Sequence, residues 1–369
     1  MPRQSLLAIC FTLGPIAISS GAAPQDGPSA TSDSSAERAA ARLDELEAES
    51  SKIQLELFER YRAAKTDAER AKIPDYNLGA WAEVKPRVVE ASAEFAGTPG
   101  AVPFLLWTVG ASVRTPHHDE AIAAMETLLE DHASDERTVR VARSLPRYTR
   151  SLGVEQAVEL AAAFEGTCPG DEAKAAFRFA GVRSQRLTGK ELADALTTVV
   201  EEFPRTRAAR EAAGWKFQVE RLQVGMTVPE LEGTTLDGTD FRLSDHRGKV
   251  VVLEFWAVNC GPCREKMPAS AERVRRLADA PFLHVGVQSC DGAPEVVREL
   301  TEERGVNWPI VTDRSVDGSS FGPIGTKWNL SGWPTVFLID HEGVIRSDWA
   351  TEEVLAKMLP ELIERAKNR

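Results

Sequence analysis

Lys249-Val-Val-Val-Leu-Glu-Phe-Trp-Ala-Val-Asn-Cys-Gly-Pro-Cys-Arg-Glu-Lys-Met-Pro268 is the stretch on which the reading of this chain turns. An apolar run from Val250 to Val258, broken only by Glu254, stops at two cysteines separated by Gly261 and Pro262. A charged, helix-permissive segment follows. The pattern predicts a buried strand feeding a helix whose first turn carries Cys260 and Cys263. A thiol at a helix N-terminus faces unpaired N–H groups and the positive end of the helix dipole, and both favour the thiolate. Two intervening residues let the sulfurs meet within one turn, so the pair can alternate between dithiol and disulfide. The stretch points to thiol–disulfide exchange.

Working outward, the 369 residues exceed what one core usually serves, which predicts two folded units. The net charge of −12 and the pI near 5.2 argue against nucleic acid and anionic membrane surfaces, with no basic stripe evident to offset phosphate repulsion. Residues 1–23 read as an export signal: Arg3 gives the positive start, Ser5 to Ile18 the apolar core, and Ser20-Gly-Ala or Gly21-Ala-Ala the small residues of a cleavage site. Two variants stay open, an uncleaved anchor and lipidation at Cys10, the latter opposed by the bulk of Ile9. Export leaves Cys168, Cys260, Cys263 and Cys290, too few for a disulfide scaffold of this size, so the C-x-x-C reads as a redox pair. A zinc site would need two further ligands, and no second C-x-x-C or spaced His pair supplies them; His117-His118 reads as a polar turn. No metal or organic cofactor is expected.

Residues 24–35, rich in Ala, Ser, Pro, Asp and Gly, are expected to be a flexible linker. From Ala36 to about Lys72, Leu43, Leu46, Ile53, Leu57 and Tyr61 recur at helical spacing, and Pro74 ends the pattern. One amphipathic helix packed on its neighbours is expected, a coiled-coil dimer being the alternative. Across 78–220, four similar helix ends at Phe95, Leu129, Phe164 and Phe203 lie 34, 35 and 39 residues apart. That period suits stacked helix pairs of the tetratricopeptide type, although the Trp, Leu, Gly and Tyr of that consensus are not in place. An all-α helical-hairpin unit over 36–221 is the expectation, with a plain α bundle as the other reading.

At Leu222 the character changes. Thr234 to Leu243 reads as a hairpin, Val250–Trp256 and Phe282–Gln288 as core strands, Pro294–Arg304 as a helix and Trp308–Thr312 as a short strand. Thr335–Ile339 and Val344–Ser347 flank a turn at Asp340, and Thr351 caps a closing helix that runs to Lys367. Strands alternating with helices make an α/β unit over 222–369.

Four pieces in this order identify a family: Gly225-Met-Thr-Val-Pro-Glu-Leu231, Asp237-Gly-Thr-Asp-Phe-Arg-Leu-Ser-Asp-His-Arg-Gly-Lys249, Phe255-Trp-Ala-x-x-Cys-Gly-Pro-Cys263, and Gly332-Trp-Pro-Thr-Val-Phe-Leu-Ile-Asp340. Residues from about 222 to 369 resemble the thioredoxin-like fold, and within it the exported TlpA/ResA-type thiol–disulfide oxidoreductases. The resemblance implies that Cys260 is the nucleophile and Cys263 the resolving thiol. It implies that Glu254 is a buried carboxylate relaying a proton to or from Cys263, the alternative being a strand-end residue reaching solvent. Pro334 becomes the cis-proline facing the dithiol, Trp333 and the peptide before that proline a docking edge for substrate, and Trp256 a shield over the sulfurs that also belongs to the substrate-binding surface. Gly261-Pro262 is the dipeptide of reducing thioredoxins, and protein disulfides are the implied substrates. A membrane thiol reductase of the DsbD/CcdA kind is the implied electron donor. Asn259, in place of the usual Trp, and the bulky Trp333 reshape the groove. Cys290 lies outside the motif and reads as a buried thiol, a third redox centre or a disulfide with Cys168 being the alternatives. Two rival functions remain: a helical scaffold that binds another protein, with the redox unit as its module, and a thiol peroxidase. The second lacks the Thr that a peroxidatic loop carries before its cysteine.

Overall fold

The computed structural model describes residues 33–113, 115, 118–289, 293–315 and 321–368. The expected export segment 1–23, most of the expected linker, His117 and Cys290 lie outside the described residues. The first helix, α1 (Asp33–Ala63), begins within the stretch expected as linker and stops well before Lys72. Its end is set locally. The Thr66 hydroxyl accepts the Glu69 N–H while the Glu69 carboxylate accepts the Thr66 N–H, a reciprocal cap that starts a new short helix, α2 (Asp67–Arg70).

Eight helices follow: α3 (Tyr76–Glu94), α4 (Val102–Ser112), α5 (Asp119–His132), α6 (Val139–Leu152), α7 (Val154–Thr167), α8 (Gly170–Ser184), α9 (Gly189–Glu202) and α10 (Arg207–Arg221). Phe95 and Phe203 cap α3 and α9 where the sequence puts helix ends, whereas α5 and α7 run about one turn beyond Leu129 and Phe164. The even-numbered helices α4, α6, α8 and α10 each pack on the next. With the odd-numbered helices they close one core that holds Leu46, Trp81, Phe104, Met125, Tyr148 and Phe177, and a second that holds Leu192, Leu196 and Val199 of α9. Tyr148 keeps its hydroxyl satisfied there by donating to the Val109 carbonyl. Cys168 is a free thiol buried in the first of these cores, and burial pushes the thiol up.

A hairpin, β1 (Glu232–Thr234) with β2 (Asp240–Arg242), opens the α/β half. Then come β3 (Val250–Trp256), α11 (Gly261–Arg276), β4 (Phe282–Gln288), α12 (Pro294–Glu303), β5 (Ile310–Thr312), α13 (Pro323–Lys327), β6 (Thr335–Ile339), β7 (Ile345–Ser347) and α14 (Glu352–Lys367). The sheet runs β5-β4-β3-β6-β7, with β3, β4 and β5 mutually parallel and β6 and β7 antiparallel to their neighbours. β3 is central and buried along its whole length, which is why its sequence is apolar at both parities. Two expected strands are shorter than read: Trp308 and Pro309 precede β5, and Val344 bridges Thr227 instead of extending β7. The short α13 was not anticipated. The buried Asp313 carboxylate accepts the N–H groups of Ile324 and Gly325 at 2.8 and 2.7 Å and so caps it from a distance in sequence.

The two sides of the sheet carry different partners. Val251, Leu253 and Phe255 face Leu222, Phe241, Trp328 and Leu330. Val250 and Val252 face α14, and Trp256 faces α11 and α12. The helical half reaches into the first of these layers. Phe217 packs on that core, Asn329 Nδ2 donates to Gln218 Oε1 at 2.6 Å, and Lys327 sits 5.1 Å from the Phe217 ring centre. Gly214 allows the approach, since a Cβ there would collide with the Thr326 carbonyl.

Candidate active site

β3 ends at Trp256, the chain turns through Ala257-Val258-Asn259, and Cys260 becomes the N-cap of α11. Its Sγ accepts the Cys263 N–H at 3.2 Å, as an oxygen side chain does at an ordinary N-cap. Pro262 lies in the first turn, where a missing N–H removes no helical bond. The two sulfurs are joined in a disulfide. Cys263 is fully buried while Cys260 retains 8% exposure, so Cys260 is the cysteine nearer the surface. Once the bond is reduced, an anionic Cys260 sulfur would hold the same N–H and face the positive end of a four-turn helix.

Glu254 occupies the face of β3 shared by Val252 and Trp256, because alternate residues of a strand point the same way. Val252 belongs to the cluster on α14 and Trp256 to the cluster holding Cys260, Cys263 and Met267, so Glu254 lies between them, on the side covered by α11. It is 7% exposed and does not reach solvent as a strand-end residue would. Its Oε2 lies 3.0 Å from Nε2 of His284 on β4, a residue only 1% exposed. The other ring nitrogen, Nδ1, has no partner among the described residues. The tautomer with the proton on Nε2 therefore satisfies the pair best, donating to the Glu254 carboxylate and leaving no N–H stranded at Nδ1. His284 also lies under Trp308, ring centres 4.4 Å apart. Gly286 is small for a reason: a Cβ there would stand 2.9 Å from Trp256 Nε1 and 3.2 Å from Trp308 Nε1.

His284 is the site residue that sequence reading missed. Its signal was parity: in Phe282–Gln288 it shares a strand face with Gly286 and Gln288, opposite the apolar Leu283, Val285 and Val287.

Pro334 follows a cis peptide bond from Trp333. Thr335 pairs with Phe255, which sets Pro334 beside the end of β3, next to the turn that carries the cysteines. Trp333 is half-buried, packs on the cluster holding both cysteines, and meets Phe321 with tilted rings whose centres are 4.8 Å apart. Asn259 is exposed immediately before Cys260. Trp256 sits differently from the substrate surface expected for it. At 2% exposure it packs beneath the sulfurs, so it fills and shields but offers no face to a substrate. Among the described residues no cluster of His, Cys, Asp or Glu has the grouping of a metal site.

Comparison with known proteins agrees with this geometry. Residues 224–348 match the family model described as the AhpC/TSA family. The thioredoxin-like protein YneN of Bacillus subtilis is 31% identical over 126 residues, which are 34% of this chain and 70% of that protein. The thiol-disulfide oxidoreductase ResA of Geobacillus kaustophilus is 34% identical over 147 residues, 39% of this chain and 76% of that protein. Among solved structures, the thioredoxin domain of a thiol-disulfide oxidoreductase from Bacteroides vulgatus aligns with 25% identity and a TM-score of 0.34, covering 38% of this chain and 98% of that one. A dithiol held at a helix cap, on a sheet of this order and with relatives of this identity, leaves one assignment: the chain belongs to the TlpA/ResA-type thiol–disulfide oxidoreductases of thioredoxin-like fold.

Proposed function

We propose that the chain is an exported reductant of protein disulfides, acting outside the cytoplasmic membrane. The observation that carries this reading is the unequal burial of the two sulfurs across one N-cap, with Cys260 reachable and Cys263 not. In the forward step the Cys260 thiolate attacks one sulfur of a substrate disulfide. A Cys260–substrate bond forms, and the other substrate sulfur leaves as a thiolate. Cys263 then loses its proton to the Glu254–His284 pair and attacks Cys260 Sγ, which closes the Cys260–Cys263 disulfide and releases the second substrate thiolate. The substrate gains two electrons and the chain loses two. A membrane thiol reductase of the DsbD/CcdA kind returns them by the same exchange in reverse. Trp333 and Pro334 form the edge on which the substrate chain lies during attack, and the step needs no metal or organic cofactor.

Trapping tests the roles. Cys263→Ser is expected to accumulate mixed disulfides with substrate and Cys260→Ser is not; equal trapping by both would overturn the assignment. The direction of flow is read from the reduction potential of the pair. A value near roughly −270 mV supports a reductant, and one near roughly −120 mV marks an oxidant instead.

The match to the AhpC/TSA model favours a second reading, peroxide reduction at Cys260. Against it, Ala257 stands three residues before Cys260, where the peroxidatic loop carries Thr or Ser, and Cys263 already supplies a resolving sulfur within one turn. Hydrogen peroxide consumption with dithiothreitol as reductant separates the two readings: catalysis of peroxide loss exceeding that of insulin reduction favours the peroxidase.

A further inference from the structure

The net charge of −12 conceals a basic stripe that reading the composition overlooked. Helix α6 carries Arg140, Arg143, Arg147 and Arg150 and not one Asp or Glu from Val139 to Leu152. Spacings of three, four and three put all four on one helical face. All are exposed, while Val141, Ala142, Leu145 and Tyr148 fill the opposite, buried face. On several other helices exposed charges are paired within a turn, as in Arg42–Glu45, Lys190–Asp194 and Lys367–Glu364. None of the four α6 arginines has such a partner among the described residues. The preceding α5 is the reverse, with Asp119, Glu120, Glu126, Glu130 and Asp131 and no Lys or Arg. A merely solvated surface intersperses the signs; this one sorts them by helix. On the neighbouring α8, Arg183 lies close enough to Arg147 to feel its charge, and it also feels the carboxylate of Glu211.

We infer that the arginine face of α6 docks an acidic segment of a partner protein. The ladder spans roughly 15 Å, the length of about five residues of extended chain. Guanidinium forks at that spacing pair with carboxylates two bonds at a time. A bilayer fits less well: no large apolar residue on α6 is exposed to insert between lipids, and the chain as a whole is acidic. The same overall charge opposes the continuous phosphate field of nucleic acid. The docking is separate from the thiol chemistry and does not depend on the direction of electron flow.

The test uses the full chain and a fluorescein-labelled twelve-residue peptide of alternating Glu and Ser, followed by anisotropy at low ionic strength. Three proteins are compared: the native chain, Arg140→Gln/Arg143→Gln/Arg147→Gln/Arg150→Gln, and a charge-matched control, Arg60→Gln/Arg62→Gln/Arg275→Gln/Arg276→Gln. Insulin reduction and the far-UV spectrum confirm that each is folded. The milder pair Arg143→Gln/Arg147→Gln serves if the fourfold ladder variant does not fold. Salt-dependent binding at least about tenfold weaker in the ladder variant, and unchanged in the control, is the expected result. Equal binding by all three proteins overturns the inference. So does tighter, ladder-dependent binding to phosphatidylglycerol vesicles or to single-stranded DNA, or ladder-dependent self-association of the chain in sedimentation without peptide, since each would name a different occupant.

Discussion

Replacing His284 by Leu removes one partner of a buried pair and leaves the other in place. Glu254 is 7% exposed, and its carboxylate lies 3.0 Å from His284 Nε2. A carboxyl group left without its hydrogen bond beneath the sheet costs about 2–4 kcal/mol, the range for breaking one half of a buried polar pair. The α/β half has an expected urea slope of about 2 kcal/mol per molar, so the midpoint should fall by about 1–2 M. Tryptophan fluorescence reports the transition through Trp256, Trp308 and Trp328, and Trp81, Trp107 and Trp215 add a second step where the helical half unfolds separately. The double variant His284→Leu/Glu254→Leu removes the stranded carboxyl as well, and it should recover part of the loss, with a coupling of about 1–3 kcal/mol. Resolution of the mixed disulfide by Cys263 should slow at least about tenfold in His284→Leu, measured by quenched flow. A midpoint within about 0.3 M of the native chain, or losses that simply add in the double variant, would refute the pairing.

Three smaller perturbations follow from the same contacts. Asp313→Asn keeps the shape but turns one of two accepting oxygens into a donor against the Ile324 or Gly325 N–H; a loss of about 1–2 kcal/mol and faster amide exchange in α13 are expected. His246 stacks on Phe241, and burial first, then Lys249, holds its imidazole below the ordinary value of 6.5. The unfolded chain thus takes up that proton more readily, so the contribution is whole above pH 6.5 and drains as pH falls; His246→Phe keeps the stack and should flatten the acid limb of a thermal-unfolding profile. Gly214→Ala drives a methyl group into the Thr326 carbonyl, and should cost about 1–3 kcal/mol and deprotect the amides of α10 and α13 while leaving those of α1 to α7 unchanged.

How much was legible follows from which force sets each element. β3 and β4 were readable to the residue because both strands are buried: β3 is apolar but for Glu254, and β4 alternates around apolar Leu283, Val285 and Val287. The cysteine turn was equally plain, since an N-cap thiol three residues from its partner has few other uses. α13 was not legible: five residues hold no helical period, and its cap is Asp313, ten residues upstream of Pro323. The end of α1 was misplaced because Pro74 drew the boundary, whereas the capping box at Thr66 and Glu69 had already broken the helix. Trp256 was placed on the binding surface from its neighbourhood in sequence. Strand parity alone points it inward, toward α11. The arginine ladder was hidden by summation, since a net charge says nothing of how charges sort among helices.

The sheet also decides how the two halves can serve one another. Residues of β3 divide strictly by parity, and Phe217 and Leu222 pack with Val251, Leu253 and Phe255 on one side, while Glu254 and Trp256 look to α11 on the other. The helical half therefore enters the redox half on the face away from the buried carboxylate. Nothing in that junction needs to open for Cys260 to be reached, because the hydrogen bond from Asn329 to Gln218 and the Gly214 contact lie on α10 and around α13. A partner held on α6 would then be tethered to the same chain as the cysteine pair without competing for its face. Tethering of that kind would raise the local concentration of a partner's disulfide without adding any contact at the cysteines, so selectivity would not have to come from the surface around Cys260 alone.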